Sequence, residues 1–379
     1  MPKNRNIRLL CMMSLLQGLV FYAPVATLYR QAVGVGLAEI ALLESISLVL
    51  SLLLELPWGV VADRIGYRNT MVACSVLFFL SKLVFWRAEG FGWFLAERLM
   101  LAVVTSGLSG VDSAVIYLSA PEGEEQKSFA LYGGMGTAGM LAASLLYSLC
   151  FGDNYRLTAF WTMAAYGAAA VLALFLEGPT RAPAEEETGA LLPVLLGVLR
   201  RPELLLMLFA FSCFGETGQV VTVFLNQLQY ARCGIPTRWL GYLAAGMQVL
   251  GLVGLLSGRL TRRLGERRAG VFLMCVRAAS CGVLALTSSP LLSVAGIGLA
   301  GLAGSLFGPI QSVAENRRVR TAARATELSV YAIVSDALSA GFNVAFGRAA
   351  EASLPLALWL CAALCAAGCA AYALAERTK

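Results

Sequence analysis

The 379-residue sequence contains no histidine, and only 14% of its residues are charged, where soluble domains carry about 25%. The absence of histidine excludes imidazole catalysis and removes a principal zinc ligand. Ten cysteines are present, but none forms a C-x-x-C pair, so the sequence offers no metal or redox motif. Neither a Walker motif nor a nucleophile–base pair is visible. We therefore expect no enzymatic activity, no metal and no cofactor.

Apolar residues dominate what is present, at 58% of the chain with a mean hydropathy of +0.73. They form twelve runs of the roughly 20 residues that a helix needs to cross a bilayer. Barrel strands would be shorter and would alternate, so the continuous runs predict an all-α membrane protein of twelve transmembrane helices. The runs lie near residues 7–29, 37–62, 69–88, 91–119, 127–151, 157–177, 203–228, 237–258, 268–289, 290–313, 325–347 and 353–375.

The positive charges predict which way the chain is threaded. If both termini are cytoplasmic, the termini and cytoplasmic gaps hold 20 of the 29 lysines and arginines, and the outer gaps hold six. This asymmetry fits the positive-inside rule and an even number of spans. Lys3, Arg5 and Arg8 precede an apolar run too long for a signal peptide, so we interpret it as an uncleaved first span. We expect a multi-pass protein of the cytoplasmic membrane.

The longest gap divides the predicted spans into two sets of six. It contains Pro179 and Pro183, an acidic run at 185–187 and a basic pair at 200–201. We predict an N-terminal bundle at 1–178, a cytoplasmic linker at 179–202 and a C-terminal bundle at 203–379. By composition alone, the gap is equally consistent with an ordinary loop.

A repeated segment favours the division. Residues 59–68 read Gly-Val-Val-Ala-Asp-Arg-Ile-Gly-Tyr-Arg and join spans two and three. Residues 258–267 read Gly-Arg-Leu-Thr-Arg-Arg-Leu-Gly-Glu-Arg and join spans eight and nine. The glycines and arginines coincide at a constant offset of 199 residues. Parallel halves related by duplication are typical of secondary transporters.

The first copy resembles the signature loop of the major facilitator superfamily, G-x-x-x-D-R-x-G-x-R, at every defined position. The second copy has Arg262 in place of the aspartate. The resemblance implies two six-helix bundles related by pseudo-twofold symmetry. Softer matches at 54–57, 109–114 and 324–329 resemble a prokaryotic branch that includes many drug exporters. Span five lacks the Gly-Pro pair of many proton-coupled drug antiporters, which weakens the export interpretation.

By this resemblance, the loop is a conformational latch formed by Gly59, Asp63, Arg64, Gly66 and Arg68. The glycines permit close helix approach and a tight turn. The aspartate would meet the positive end of a helix, for which the start of span eleven is the candidate. A simpler alternative is that the arginines only fix the topology.

Charges inside the spans are the candidates for substrate binding or proton coupling, because each costs roughly 2.5–3.5 kcal/mol at the bilayer centre. They are Arg98, Asp112, Glu216, Asp336 and Glu55. The 14-residue spacing between the first two predicts a shared helix face. Structural ion pairs are the competing explanation. Arg277 lies at a similar depth to Glu216 and Asp336 and could pair with either, and we expect Lys82 to extend its amine to the membrane surface.

One nucleotide-binding pattern is rejected. Gly134-Met-Gly136-Thr-Ala-Gly139 matches G-x-G-x-x-G but lies within span five, with no strand before it. We interpret these glycines as a helix-packing surface.

The resemblance implies a secondary carrier that works by alternating access. Proton-coupled efflux of a small organic solute is the leading hypothesis, by a monomer that needs protons and a lipid bilayer and binds no nucleic acid. An uptake symporter or facilitator is the alternative within transport. A non-transporting membrane receptor with the same fold is the alternative outside it, because fold alone does not fix function.

The duplication makes a topological prediction. Single cysteines placed at residues 64 and 263 of an otherwise cysteine-free chain should be labelled from the same side of the membrane. A membrane-impermeant maleimide applied to intact cells and to inverted vesicles measures this. Labelling of the two positions from opposite sides would contradict both the duplication and the carrier hypothesis.

Overall fold

A computed structural model describes residues 5–108, 111–121, 124–152, 154–178, 191–319 and 324–375. Inside the helices, the side chains of 55–57, 59–64, 125–127, 191–192, 255, 316 and 324–326 are not described. Four predicted site residues, Glu55, Gly59, Asp63 and Arg64, therefore lie outside the described side chains.

The described residues are almost entirely helical. The α-helices, in chain order, are α1 Arg5–Gly18, α2 Ala26–Ala32, α3 Leu37–Ile65, α4 Tyr67–Arg87, α5 Phe91–Leu108, α6 Val111–Ser119, α7 Glu125–Leu146, α8 Tyr155–Leu174, α9 Leu191–Leu199, α10 Pro202–Gln219, α11 Asn226–Arg232, α12 Leu240–Gly251, α13 Ser257–Leu264, α14 Glu266–Leu286, α15 Pro290–Arg318, α16 Arg324–Ala352 and α17 Leu354–Ala375. Short 3-10 helices cover Ala23–Val25, Thr237–Trp239 and Leu252–Leu256, and π-helical turns cover Tyr147–Phe151 and Val220–Leu225.

These helices account for the predicted spans. Among the described residues, 11 helices are long and apolar enough to cross a membrane. A further pair, Thr237–Gly254 and Ser257–Leu264, is bent by 50° and makes the twelfth when counted as one span. Because hydrocarbon leaves backbone groups without water, these segments satisfy them internally as helices. The prediction of an all-α membrane protein is confirmed.

The chain forms two compact units. The first comprises Met1–Val35, Ile46–Glu185 and Thr237–Ala245. The second comprises Gly36–Ser45, Glu186–Pro236 and Gly246–Lys379. Each unit thus includes a short stretch from the other half of the sequence. The boundary that we placed at 179–202 stays a prediction.

The repeated segment folds in the same way in both units. Gly66 separates α3 from α4 with φ 82°, and Gly265 separates α13 from α14 with φ 80°. Positive φ of this size favours glycine, which explains why the residue recurs. Arg68 donates to the Leu174 carbonyl, and Arg267 donates to the Ala373 carbonyl, the residue 199 positions later. The duplication therefore extends from sequence to hydrogen bonds.

The glycine pattern of span five packs against span one, within the first unit. A Cβ atom added at Gly139 would overlap the carbonyl oxygen of Leu15 and lie 3.0 Å from the Cα of Gly18. An added Cβ at Gly136 would lie 2.9 Å from Ser14 Oγ. Close backbone approach of this kind is how small residues join membrane helices. The helix-packing interpretation of this motif is confirmed.

The contact predicts a difference between two glycines of the same helix. Gly139→Ala should destabilise the protein by about 1–3 kcal/mol, because the added methyl forces α1 and α7 apart. Gly134→Ala is the matched control, since nothing lies within 4 Å of the position of its Cβ. Thermal unfolding of the purified protein in detergent measures both, and equal melting temperatures for the two variants would contradict the packing assignment.

Candidate functional site: charged clusters inside the two units

Three acidic residues lie near one another in the second unit. Glu216 in α10 is only 8% exposed, and its carboxyl hydrogen-bonds the side chains of Ser339 and Asn343 in α16. Glu44 and Asp336 are close enough to act on it electrostatically. The structure therefore brings together two of the predicted residues, Glu216 and Asp336, and adds Glu44 from the start of α3.

The helix that carries Glu216 is irregular just beyond it. Val220–Leu225 forms a π-helical turn, and α11 then continues the same span. Turns of this type interrupt the regular backbone ladder and occur frequently at functional sites. One oxygen of the carboxyl, Oε1, is buried and has no hydrogen-bond partner among the described residues. Such an oxygen is a suitable place for a proton, because a neutral carboxyl is less costly to bury than a carboxylate.

Arg277 does not pair with either carboxylate, and our prediction for it is wrong. Its guanidinium is 3% exposed and donates to the carbonyl oxygens of Phe214 and Ala300, with Nη2 2.8 Å from the latter. It also lies over the Phe214 ring, 3.5 Å from the centroid. Backbone carbonyls replace the carboxylate partner because spans seven and ten approach span nine closely at this level.

The first unit contains a different cluster, built around an ion pair that the sequence did not reveal. Lys82 Nζ lies 3.4 Å from Glu97 Oε1, and the side chains are 5% and 1% exposed. Arg98 Nε lies 3.6 Å from the other oxygen of the same carboxylate. Glu97 thus faces two cations, one on its own helix and one on span three. Arg98 is part of a buried network, as expected of a charge placed within a span.

Lys82 is enclosed by aromatic rings. Its amine donates to the Tyr22 hydroxyl at 3.0 Å and lies 5.3 Å from the Phe78 ring centroid and 5.4 Å from that of Tyr166. At 4% exposure it does not reach the membrane surface, so our expectation for this residue is wrong. The available carboxylate and ring faces retain the amine inside the unit.

Asp112 lies in the first turn of α6, and residues 109–110 between α5 and α6 are not described, so the shared helix face of Arg98 and Asp112 stays a prediction. Asp112 Oδ1 accepts from the backbone N–H of Ser113 at 2.7 Å, and Tyr132 lies nearby.

The predicted latch is described only in part. Gly66 adopts its positive φ, and Arg68 binds α8 carbonyls; the other three residues lie outside the described side chains. At the start of α16, Glu327 Oε1 accepts from Arg201 Nη1 at 2.7 Å and from the Tyr331 hydroxyl at 2.6 Å. Arg201 thereby ties the segment after α9 to span eleven within the second unit.

The arrangement of helical spans in duplicated halves is shared with known proteins. The family model of the Major Facilitator Superfamily matches residues 9–343. The chain belongs to the Major Facilitator Superfamily. It is therefore a transporter of this type, not an enzyme. No curated protein matches the sequence.

Several solved transporters of the superfamily type share the fold. A crystal structure of the nucleoside transporter NupG superposes with a TM-score of 0.83 at 15% identity, covering 99% of this chain and 100% of that one. An inward-facing, occupied bacterial homolog of the human lysosomal transporter Spinster gives 0.75 at 17%, covering 98% and 96%. A POT family transporter in complex with 5-aminolevulinic acid gives 0.74 at 12%, covering 97% and 95%. These identities establish the fold alone.

Sequence reasoning missed the residues that complete both clusters of this superfamily member, namely Glu97, Ser339 and Asn343. A signal was present for the first, since an acidic residue inside an apolar run is as costly as a basic one. The other two are neutral side chains common in membrane helices, and only their packing against α10 distinguishes them.

The buried ion pair predicts strongly coupled substitutions. Lys82→Met and Glu97→Gln should each destabilise the protein by about 3–5 kcal/mol, because each leaves a buried group without its counterpart. The double variant should lose less than the sum of the two single losses, although Arg98 then lacks its carboxylate. Thermal unfolding measures this as a double-mutant cycle.

The control is the exposed pair Arg156–Glu89, which has the same 3.4 Å separation but side chains 57% and 70% exposed. Its coupling energy should be within about 1 kcal/mol of zero. If the losses of stability from Lys82→Met and Glu97→Gln were additive, the two side chains would not be coupled, and the ion-pair assignment would be contradicted.

Proposed function

We propose that this protein is a proton-coupled secondary transporter of a small organic solute, with Glu216 as the group that takes up and releases the proton. The observation that carries the proposal is a buried carboxyl at mid-span with two further carboxyl groups close by. Burial and neighbouring carboxyl groups both make it costly for a carboxyl to stay ionised. A proton is the simplest means of neutralising one of them.

The surroundings of Glu216 support exchange of that proton. The carboxyl is buried near Glu44 and Asp336 and hydrogen-bonds the side chains of Ser339 and Asn343. The proton occupancy of a buried carboxyl changes when its surroundings change. Alternating access supplies such a change, because the buried site faces each side of the membrane in turn.

The chain has no histidine, so a carboxyl must carry any proton that moves with the solute. Arg277, whose guanidinium contacts α10, is bonded to backbone carbonyls and forms no ion pair with Glu216. In the first unit, Glu97 already faces Lys82 and Arg98. Among the predicted candidates, Glu216 is thus the best placed to exchange a proton.

Export is the direction that the resemblance to drug exporters favours, and we propose it as the leading one. Uptake is the second candidate. The helix Glu125–Leu146 in span five contains no proline, whereas many proton-coupled antiporters of the superfamily have a Gly-Pro pair there. The solute is to be found by a thermal-stabilisation screen, in which a ligand raises the melting temperature in proportion to its affinity. Nucleosides and 5-aminolevulinic acid belong in that panel.

Glu216→Gln should abolish transport driven by a pH gradient while leaving the protein folded, because glutamine keeps the shape of the side chain but cannot release a proton. Flux into proteoliposomes under an imposed gradient measures this with a solute from the screen. Glu203→Gln, in the first turn of the same helix, is the matched control and should transport normally.

The same assay tests both other parts of the proposal. Movement of the solute in the direction opposite to the protons indicates export, and movement in the same direction as the protons indicates uptake. Undiminished gradient-driven flux by the Glu216→Gln variant would remove this carboxyl from the mechanism, and binding without any flux would favour a receptor.

A further inference from the structure

Arg277 is a buried cation whose described hydrogen bonds go to backbone carbonyls alone. Nε and Nη2 lie 3.2 Å and 2.8 Å from the Ala300 oxygen in span ten, and Nη1 donates to the Phe214 oxygen in span seven. Its side chain therefore bridges three helices, α14, α10 and α15. A planar guanidinium can make these bonds at once, which the ammonium of lysine cannot.

Two glycines make room for this guanidinium. A Cβ added at Gly218 would lie 2.5 Å from Nη1, and one added at Gly304 would overlap Nη2. Nothing lies within 4 Å of a Cβ at Gly215, three residues earlier in the same helix. The close approach of the arginine therefore involves the Gly218 side of α10 and not the Gly215 side.

The direction in which Glu216 faces follows from the contact between Arg277 and α10. Phe214 and Gly218 are four residues apart and share a face of α10, the face that Arg277 contacts. Glu216 lies midway between them, which at 3.6 residues per turn places it roughly 200° around the helix. Fixing one face against Arg277 therefore turns the opposite face, with the carboxyl, toward Ser339 and Asn343 of α16.

We propose that Arg277 is a positioning residue for Glu216, which holds α10 in the rotation that buries the carboxyl among Glu44, Asp336, Ser339 and Asn343. The inference rests on the proposed role of Glu216 and extends it to a residue that does not touch the proton. Since α10 is a continuous α-helix up to Gln219, Phe214, Glu216 and Gly218 turn together as one segment, so a contact that holds one face also sets the direction of the opposite face. The guanidinium supplies that contact.

A purely structural use of this arginine is the competing explanation. An apolar side chain would fill the same space without placing a charge in the interior, and it would be less costly to bury. What it could not do is bond two carbonyls on different helices at defined angles. The distinction is testable, because a packing residue affects stability, whereas a positioning residue also affects the chemistry of Glu216.

The test uses a hydrophobic carbodiimide, dicyclohexylcarbodiimide, which reacts with protonated carboxyl groups inside membranes. The variants are Arg277→Met, Arg277→Lys and Gly218→Ala in the full-length protein in proteoliposomes, with Gly215→Ala as the matched control. Labelling of Glu216 is measured by peptide mass spectrometry at neutral and at acidic pH. No transported solute needs to be known.

We expect the control to label like the unmodified protein. The two Arg277 variants should lose labelling several-fold at neutral pH, because a rotated carboxyl leaves the buried site, where a neutral carboxyl is less costly than a carboxylate. They should retain labelling at acidic pH, where the carboxyl is protonated in any environment, whereas an unfolded variant would change at both. Gly218→Ala should give a smaller loss of the same kind, and this substitution should have no further effect in the Arg277→Met protein.

Two outcomes overturn the inference in distinguishable ways. Labelling of the Arg277 variants that matches the unmodified protein at both pH values would reduce Arg277 to a packing residue and leave the proton role of Glu216 standing. Absence of labelling at Glu216 in the unmodified protein would overturn the proton role itself, and the positioning role with it. If Arg277→Met does not fold, the comparison of Gly218→Ala with Gly215→Ala decides by the same criterion.

Discussion

The structure depends on one constraint, which is that hydrocarbon offers no water to a polar group. Each charge inside a span therefore has to be satisfied by other parts of the protein, and the described residues show three ways of doing so. Lys82 has a carboxylate and ring faces, Arg277 has backbone carbonyls, and Glu216 has neutral hydrogen-bonding side chains. These choices are not equivalent. Only the last leaves a group whose charge can be removed and restored by a proton.

The duplication concerns the scaffold rather than the charges. At the offset of 199 residues, the turn glycines and the arginine–carbonyl bonds recur in both units. The interior charges do not, since Lys82 corresponds to Cys281, Arg277 to Phe78 and Glu216 to Gln17. Each unit therefore kept the backbone of a common ancestor and acquired its own buried groups. Because the buried charges differ between the two units, we expect the units to have different roles in the transport cycle.

Arg277 illustrates how a costly residue is accommodated. Two glycines on neighbouring helices are needed to admit the guanidinium, and carbonyls on two spans are needed to satisfy it. Four positions thus have to agree for one side chain. Such agreement is specific to a packed arrangement, and it favours a role that hydrophobic packing would not fulfil.

The sequence by itself determined that the chain spans a membrane, that its spans are helices and that one loop is repeated. These properties follow from the length of the apolar runs and from residues at fixed spacing. It also located Glu216 and Asp336, since a carboxylate inside an apolar run is conspicuous. It did not determine partners: Arg277 was assigned to a carboxylate and Lys82 to the membrane surface, and both assignments were wrong. Partners were decided by the tertiary structure, because they depend on how neighbouring helices are rotated, and a rotation of one residue, about 100°, changes every contact on a face.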